Sequence, residues 1–150
     1  PVVGGGQASC LLAPLVGRQA GLLLADTTRY AEKQLFVAQC GVDPARIAAI
    51  GGIEARGVDL WAERERVLDL LTEAGRDLLA AGRVQVLLLG CLSFLGLAHP
   101  LSERLGVPVV DPAVAPVALA ECLVRQGLKT SRKAYPAPPL RKRTWQGGQL

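Results

Sequence analysis

Four cysteines, Cys10, Cys40, Cys91 and Cys122, are the residues of this chain best suited to chemistry, and their spacing limits its kind. They lie 30, 51 and 31 residues apart in a chain with a single histidine, His99, so no zinc-ligand pattern exists. A thiol acts as acid, base or nucleophile only where its surroundings stabilise the thiolate. Cys91 is placed for that, because it follows Gly90 where the apolar run Val84 to Leu89 (VQVLLL) gives way to the next segment. Free backbone amides at such a strand exit stabilise a thiolate and can hold a substrate carboxylate or an enolate-like oxygen. Position alone leaves a second reading open, a small apolar residue packed under a loop. Cys10, Cys40 and Cys122 have apolar or helix-end surroundings and read as packing residues. Cys10 keeps a second role open, since it lies one turn into a helix that starts near the same rim. His99 has no cysteine or carboxylate at triad-like spacing and reads as structural or exposed, so papain-like catalysis has no support.

The remaining polar candidates sit at turns. Asp26 and Asp111 read as helix caps, and Thr27 and Thr28 as caps whose hydroxyls are also candidates to hold a polar ligand. Asp59, Glu63, Glu65 and Asp69, with Arg64 and Arg66, read as the solvated face of an amphipathic helix, and no paired-carboxylate site emerges.

The elements that must position these residues alternate along the chain. Val2 and Val3 read as the end of a buried strand, followed by a glycine turn and a helix from Gln7 to Val16 that Gly17 ends. Ala20 to Ala25 is a strand, Asp26 to Thr28 start a helix to Gln39, Arg46 to Ile50 is a short strand, and Gly51 and Gly52 turn the chain. Leu60 to Ala81 has helical spacing, and Val84 to Leu89 is apolar at nearly every position, as a strand buried on both faces must be. A helix from Leu97 to Leu105, a strand from Val107 to Val110 with Pro108 suited to an edge, and a helix from Ala113 to Gln126 complete the pattern. This alternation predicts an α/β fold, a doubly wound parallel sheet with helices on both faces and right-handed crossovers. Ligands then bind beyond the carboxyl ends of the strands, which selects Gly4 to Gln7, Asp26 to Thr28, Gly51 to Ile53, Gly90 to Ser93 and Asp111 as the rim. Ser9 stands where a GxGxxG fingerprint needs its third glycine, and no GxxxxGK[ST] pattern occurs.

The chain has 150 residues, half of them hydrophobic, with mean hydropathy +0.29, enough for one domain with a proper core. No apolar run is long enough to cross a membrane as a helix. The net charge of +4 is confined to the end: six of the 17 bases follow residue 128, where no acid falls, so residues 1–128 hold 11 bases against 13 acids. That distribution describes a basic, Pro-rich tail over 129–150 and no nucleic-acid surface, since aromatic and basic residues do not interleave along any strand. Unpaired cysteine spacing and the lack of a secretory signal make reduced thiols in the cytoplasm the expectation. The absence of methionine fits removal of an initiator before Pro1, but an opening on Pro-Val-Val, like a strand already under way, points to a start that is a cut.

The stretch from Val84 to Pro139 (VQVLLLGCLSFLGLAHPLSERLGVPVVDPAVAPVALAECLVRQGLKTSRKAYPAPP) resembles the C-terminal part of the Asp/Glu/hydantoin racemase superfamily, near its hydantoin and allantoin racemases. LGC at Gly90 and Cys91, LSERLGVPVVDPAVA, and GLKTS followed by YPAPP carry the resemblance, with PVVGGGQAS and GLLLADTT as looser matches. It implies a cofactor-independent racemase of two flavodoxin-like lobes, each giving one cysteine to opposite faces of the substrate α carbon. Residues 1–111 would be the second lobe and 112–128 a helix packing on the first, whose cysteine would precede Pro1. Cys91 matches the second-lobe cysteine. Amides at Leu92 and Ser93 would hold substrate oxygens, and Thr27 or Thr28 would line the pocket. The partner is then a small molecule, a hydantoin or amino-acid derivative, with neither nucleic acid nor membrane and a homo-oligomer left open. The family often shows GCAGM where this chain has GCLSF. That departure, with one cysteine in hand, keeps two alternatives: a non-catalytic flavodoxin-like fragment, and a decarboxylase working with a single cysteine.

Overall fold

The computed structural model describes residues 1–55 and 57–138. Nine regular elements alternate: α1 (Gly5–Val16), β1 (Ala20–Leu24), α2 (Tyr30–Gln39), β2 (Ile47–Gly52), α3 (Arg64–Ala80), β3 (Val86–Leu89), α4 (Ala98–Leu105), β4 (Val109–Val110) and α5 (Val114–Arg125). The four strands form one parallel sheet in the order β2-β1-β3-β4. Leu22 lies between Ile50 and Leu88, and Leu88 pairs onward with Val110, so β1 and β3 are central and the Pro108-led strand is an edge, as expected.

Strand side chains alternate between two cores. Leu23, Leu87 and Leu89 face α3 and α4, meeting Val67, Leu71, Phe94 and Leu101. Leu22, Leu24, Val86 and Leu88 face the other side, against Cys10 and Ala13 of α1, and Val37 and Cys40 at the end of α2. Burial on both faces explains why β1 and β3 are uninterrupted apolar runs. α5 packs beside α1 and leaves Val114, Val117 and Val124 exposed, and Val114 shares a groove with exposed Leu15 and Val16 of α1.

Four expectations change, the first being the glycine turn: Gly5 and Gly6 open α1, with Gly4 as its cap. Val2 and Val3 belong to no strand; Val2 is 96% exposed and shares a groove with Leu123 and Tyr135, beside the C-terminal segment and not against the sheet. Gly51 and Gly52 are strand residues of β2 and not a turn. α3 begins at Arg64 and not at Leu60, because the Asp59 carboxylate accepts from the Trp61 and Ala62 amides at 2.9 and 3.0 Å while Glu63 Oε1 accepts from the Asp59 amide. These bonds stabilise a turn ahead of the helix and hold the Asp59 carboxyl below its ordinary range. Of the basic tail, residues 129–138 are exposed and the remainder lies outside the described residues.

Candidate active site

The rim is built where the strands end. Past β1 the chain stays paired with the segment after β2, through Ile53 N–H to Leu24 O at 2.9 Å and Ala55 N–H to Ala25 O at 3.1 Å. Past β3, Gly90 N–H still donates to Leu23 O at 2.7 Å, and the chain then turns over a short 3₁₀ segment, Leu92–Phe94. Gly90 keeps this junction close: a Cβ would stand 2.7 Å from Leu24 Cδ2 and 3.0 Å from Leu23 O.

Cys91 is half-buried at the head of this turn, in extended conformation, and its side chain packs toward the α3 side of the sheet. The N–H groups of Cys91, Leu92 and Ser93 make no hydrogen bond among the described residues, whereas Phe94 N–H donates to Cys91 O and Leu95 N–H to Leu92 O. Three successive backbone donors with no acceptor among the described residues thus begin at Cys91, a run of amides able to hold a bound oxygen.

The other thiols are differently placed. Cys10 and Cys40 are buried together beneath the opposite face of the sheet. Burial, with the neighbouring Cys40 adding to it, pushes the Cys10 thiol up to about 12, and burial also raises Cys40. Both are protonated at neutral pH, in keeping with packing roles. Cys122 is exposed on α5, where Gln126 Nε2 donates to its sulfur at 3.0 Å.

Leu92 and Ser93 thus share one turn with Cys91. Leu92 is exposed and walls a cavity of about 150 Å³ on the α1–α2 side, bordered also by Gly5, Cys10, Lys33, Phe36 and Pro112. Thr27 and Thr28 sit on the neighbouring strand exit and bond to carboxylates, not to the Cys91 turn. Thr27 Oγ1 donates to Glu54 Oε1, while Thr28 donates through its amide (2.9 Å) and hydroxyl (2.6 Å) to Asp26 Oδ1. Asp111 acts as a cap, accepting from Ala113 and Val114 amides at 2.8 and 3.3 Å, and also accepts from Gly96 N–H at 2.8 Å. His99 is exposed, 3.6 Å from Glu103.

Two residues escaped the sequence reading. Glu54 stands one residue beyond the Gly51 to Ile53 rim segment, a position that strand-end counting could have included. Arg64, read as part of a solvated face, instead donates from Nη1 to Ser93 O at 3.1 Å and from Nη2 to Leu95 O. No local signal marks it, since its acceptors are carbonyls about 30 residues away. Among the described residues no group of His, Cys, Asp and Glu could hold a metal ion, and no helix is long and apolar enough to cross a membrane.

The Asp/Glu/hydantoin racemase family model matches residues 1–120. The chain belongs to this family. It is 37% identical over 84 residues to the hydantoin racemase of Paenarthrobacter aurescens, covering 55% of this chain and 36% of that protein. With the hydantoin racemase of Pseudomonas sp. (strain NS671) it shares 35% identity over 82 residues, 54% of this chain and 33% of that one. Among solved structures, allantoin racemase from Klebsiella pneumoniae superposes with a TM-score of 0.84 at 24% identity, over 97% of this chain and 60% of the other. Allantoin racemase from Pseudomonas fluorescens gives 0.75 at 28% identity, over 97% and 62%. The chain thus spans about a third of the curated racemases' length and about three fifths of the solved ones'. The parallel sheet with flanking helices is the architecture these racemase structures share with it.

Proposed function

We propose that this chain supplies the Cys91 part of the active site of a racemase, which inverts the α carbon of a hydantoin, allantoin or amino-acid-like substrate by cysteine acid/base proton transfer, without metal or organic cofactor. The observation that carries this reading is the meeting of Cys91, the one cysteine neither buried nor fully exposed, with three N–H groups that have no acceptor among the described residues. As a thiolate, Cys91 takes the α proton; the electron pair of the broken C–H bond moves onto the adjacent carbonyl, and the Leu92 and Ser93 amides bear the oxyanion. A second acid on the opposite face then returns a proton to carbon, giving inversion, and in the reverse direction Cys91 is the acid. Hydantoin suits the site, because its ring already acidifies the α proton and lowers what the amides must supply; one such donor contributes about 10²–10³ in rate. Thr27 and Thr28 line the same rim from β1. In this reading residues 1–111 are one lobe, and α5, within 112–128, turns its exposed valines toward another.

The test uses the protein expressed from its complete reading frame and a 5-substituted hydantoin in deuterated water. Loss of optical rotation should accompany deuterium uptake at the ring α carbon, and Cys91→Ala should slow both by about 10²-fold or more, the usual weight of a general acid or base. Undiminished racemisation by Cys91→Ala would remove that residue from the mechanism. Carbon dioxide release from a substituted malonate, with no racemisation, would favour the single-thiol decarboxylase.

A further inference from the structure

We infer that Arg64 is a positioning residue for the Cys91 turn, setting the direction of its free Leu92 amide; the inference rests on the reading of Cys91 above. Arg64 opens α3, yet its guanidinium spans to the turn after β3, with Nη1 on Ser93 O at 3.1 Å and Nη2 on Leu95 O, and lies 5.2 Å from the Trp61 ring. A trans peptide is planar, with its C=O and N–H pointing in opposite directions, so holding one group fixes the other. Holding Ser93 O directs the Phe94 N–H, which donates to Cys91 O at 3.1 Å. Holding Cys91 O in turn directs the Leu92 N–H, one of the three unengaged donors. The Leu95–Gly96 peptide is gripped from both ends, by Arg64 on its carbonyl and by Asp111 Oδ2 on its N–H at 2.8 Å. Between these grips Phe94 is fully buried, so the turn cannot slide along the sheet end. Arg64 thus acts two peptide planes away from the Leu92 donor it orients, and it needs a planar fork to reach two carbonyls at once, which lysine lacks.

The experiment compares alkylation of Cys91 by iodoacetate, an anion, with alkylation by neutral iodoacetamide, using the complete protein and following each cysteine by peptide mass analysis. The wild-type rate ratio at Cys91 should favour iodoacetate relative to the ratio at exposed Cys122, because the amides attract the carboxylate. Arg64→Lys keeps the charge and loses the fork; the Cys91 ratio should fall by about tenfold, the weight of one hydrogen bond to an anion, while the Cys122 ratio stays in place and the protein still unfolds cooperatively. Arg64→Met, which keeps the stem and removes every donor, is the second variant if Arg64→Lys folds poorly, and should lose at least as much. A wild-type preference that survives in whichever of these variants folds overturns the Arg64 inference and leaves the Cys91 reading standing. Equal ratios at Cys91 and Cys122 in the wild type overturn the Cys91 reading, and the inference with it.

Discussion

Replacing Gly90 by alanine presses one methyl group into the joint between the two central strands. The new Cβ would lie 2.7 Å from Leu24 Cδ2, 3.3 Å from Leu22 Cδ1 and 3.0 Å from Leu23 O, where the first demands a shift and the last is backbone. Leu22 borders the cavity of about 150 Å³ and can yield into it, so the clash rests on Leu24 Cδ2, packed with Val37 and Leu88, and on the backbone Leu23 O. Leu23 O cannot retreat without stretching the 2.7 Å hydrogen bond it accepts from Gly90 N–H. Overpacking of this kind costs about 1–3 kcal/mol and a weakened internal hydrogen bond about 1 more. For a chain of this size a loss of about 3 kcal/mol lowers Tm by about 10 °C. Thermal unfolding followed by circular dichroism measures it, with Gly4→Ala as the control, since a Cβ there meets only Gln7 Cβ at 3.9 Å. A Gly90→Ala protein melting within about 2 °C of wild type would refute the claim that close strand contact dictates glycine before Cys91.

Asp111→Ala removes the acceptor of the Ala113, Val114 and Gly96 amides and should lower stability by about 2–3 kcal/mol in urea unfolding, with Asp111→Asn recovering part of it through the remaining carbonyl oxygen. Phe94→Ala empties a fully buried site under the Cys91 turn and should lose about 3–5 kcal/mol by the same measurement. The Cys10 thiol, raised from 9.0 to about 12 in the fold, stays protonated where the unfolded chain has released its proton. Its stabilising contribution is therefore complete below pH 9 and declines as pH rises toward 12, so urea midpoints taken between pH 8 and 10.5 should fall less steeply in Cys10→Ala than in wild type. Titration with a thiol reagent at neutral pH should modify Cys122 and Cys91 and reach Cys10 and Cys40 only on unfolding.

Order and type of the elements were legible in the residues, because burial on both sheet faces forces uninterrupted runs such as AGLLL and VLLL, and glycines after α1 and α4 end the helices between them. Position alone set Cys91 apart from the other thiols, since a residue after a buried parallel strand must emerge at the end of the sheet where ligands bind. Boundaries were less legible: Asp59 and Glu63 bond each other's turn and delay α3 to Arg64, an exchange between side chain and backbone that helical periodicity does not register. The sequence by itself therefore determined the layers, the central strands and the thiol at their exit, all of which follow from apolar periodicity and chain direction. Tertiary structure decided what surrounds that thiol: which amides stay free, that Thr27 turns to Glu54, and that Arg64 grips the turn. The Arg64 contacts reach backbone carbonyls some 30 positions away, which every residue carries, and Thr27 meets Glu54 only because β1 and β2 end side by side, so nothing in the local side-chain pattern could announce them.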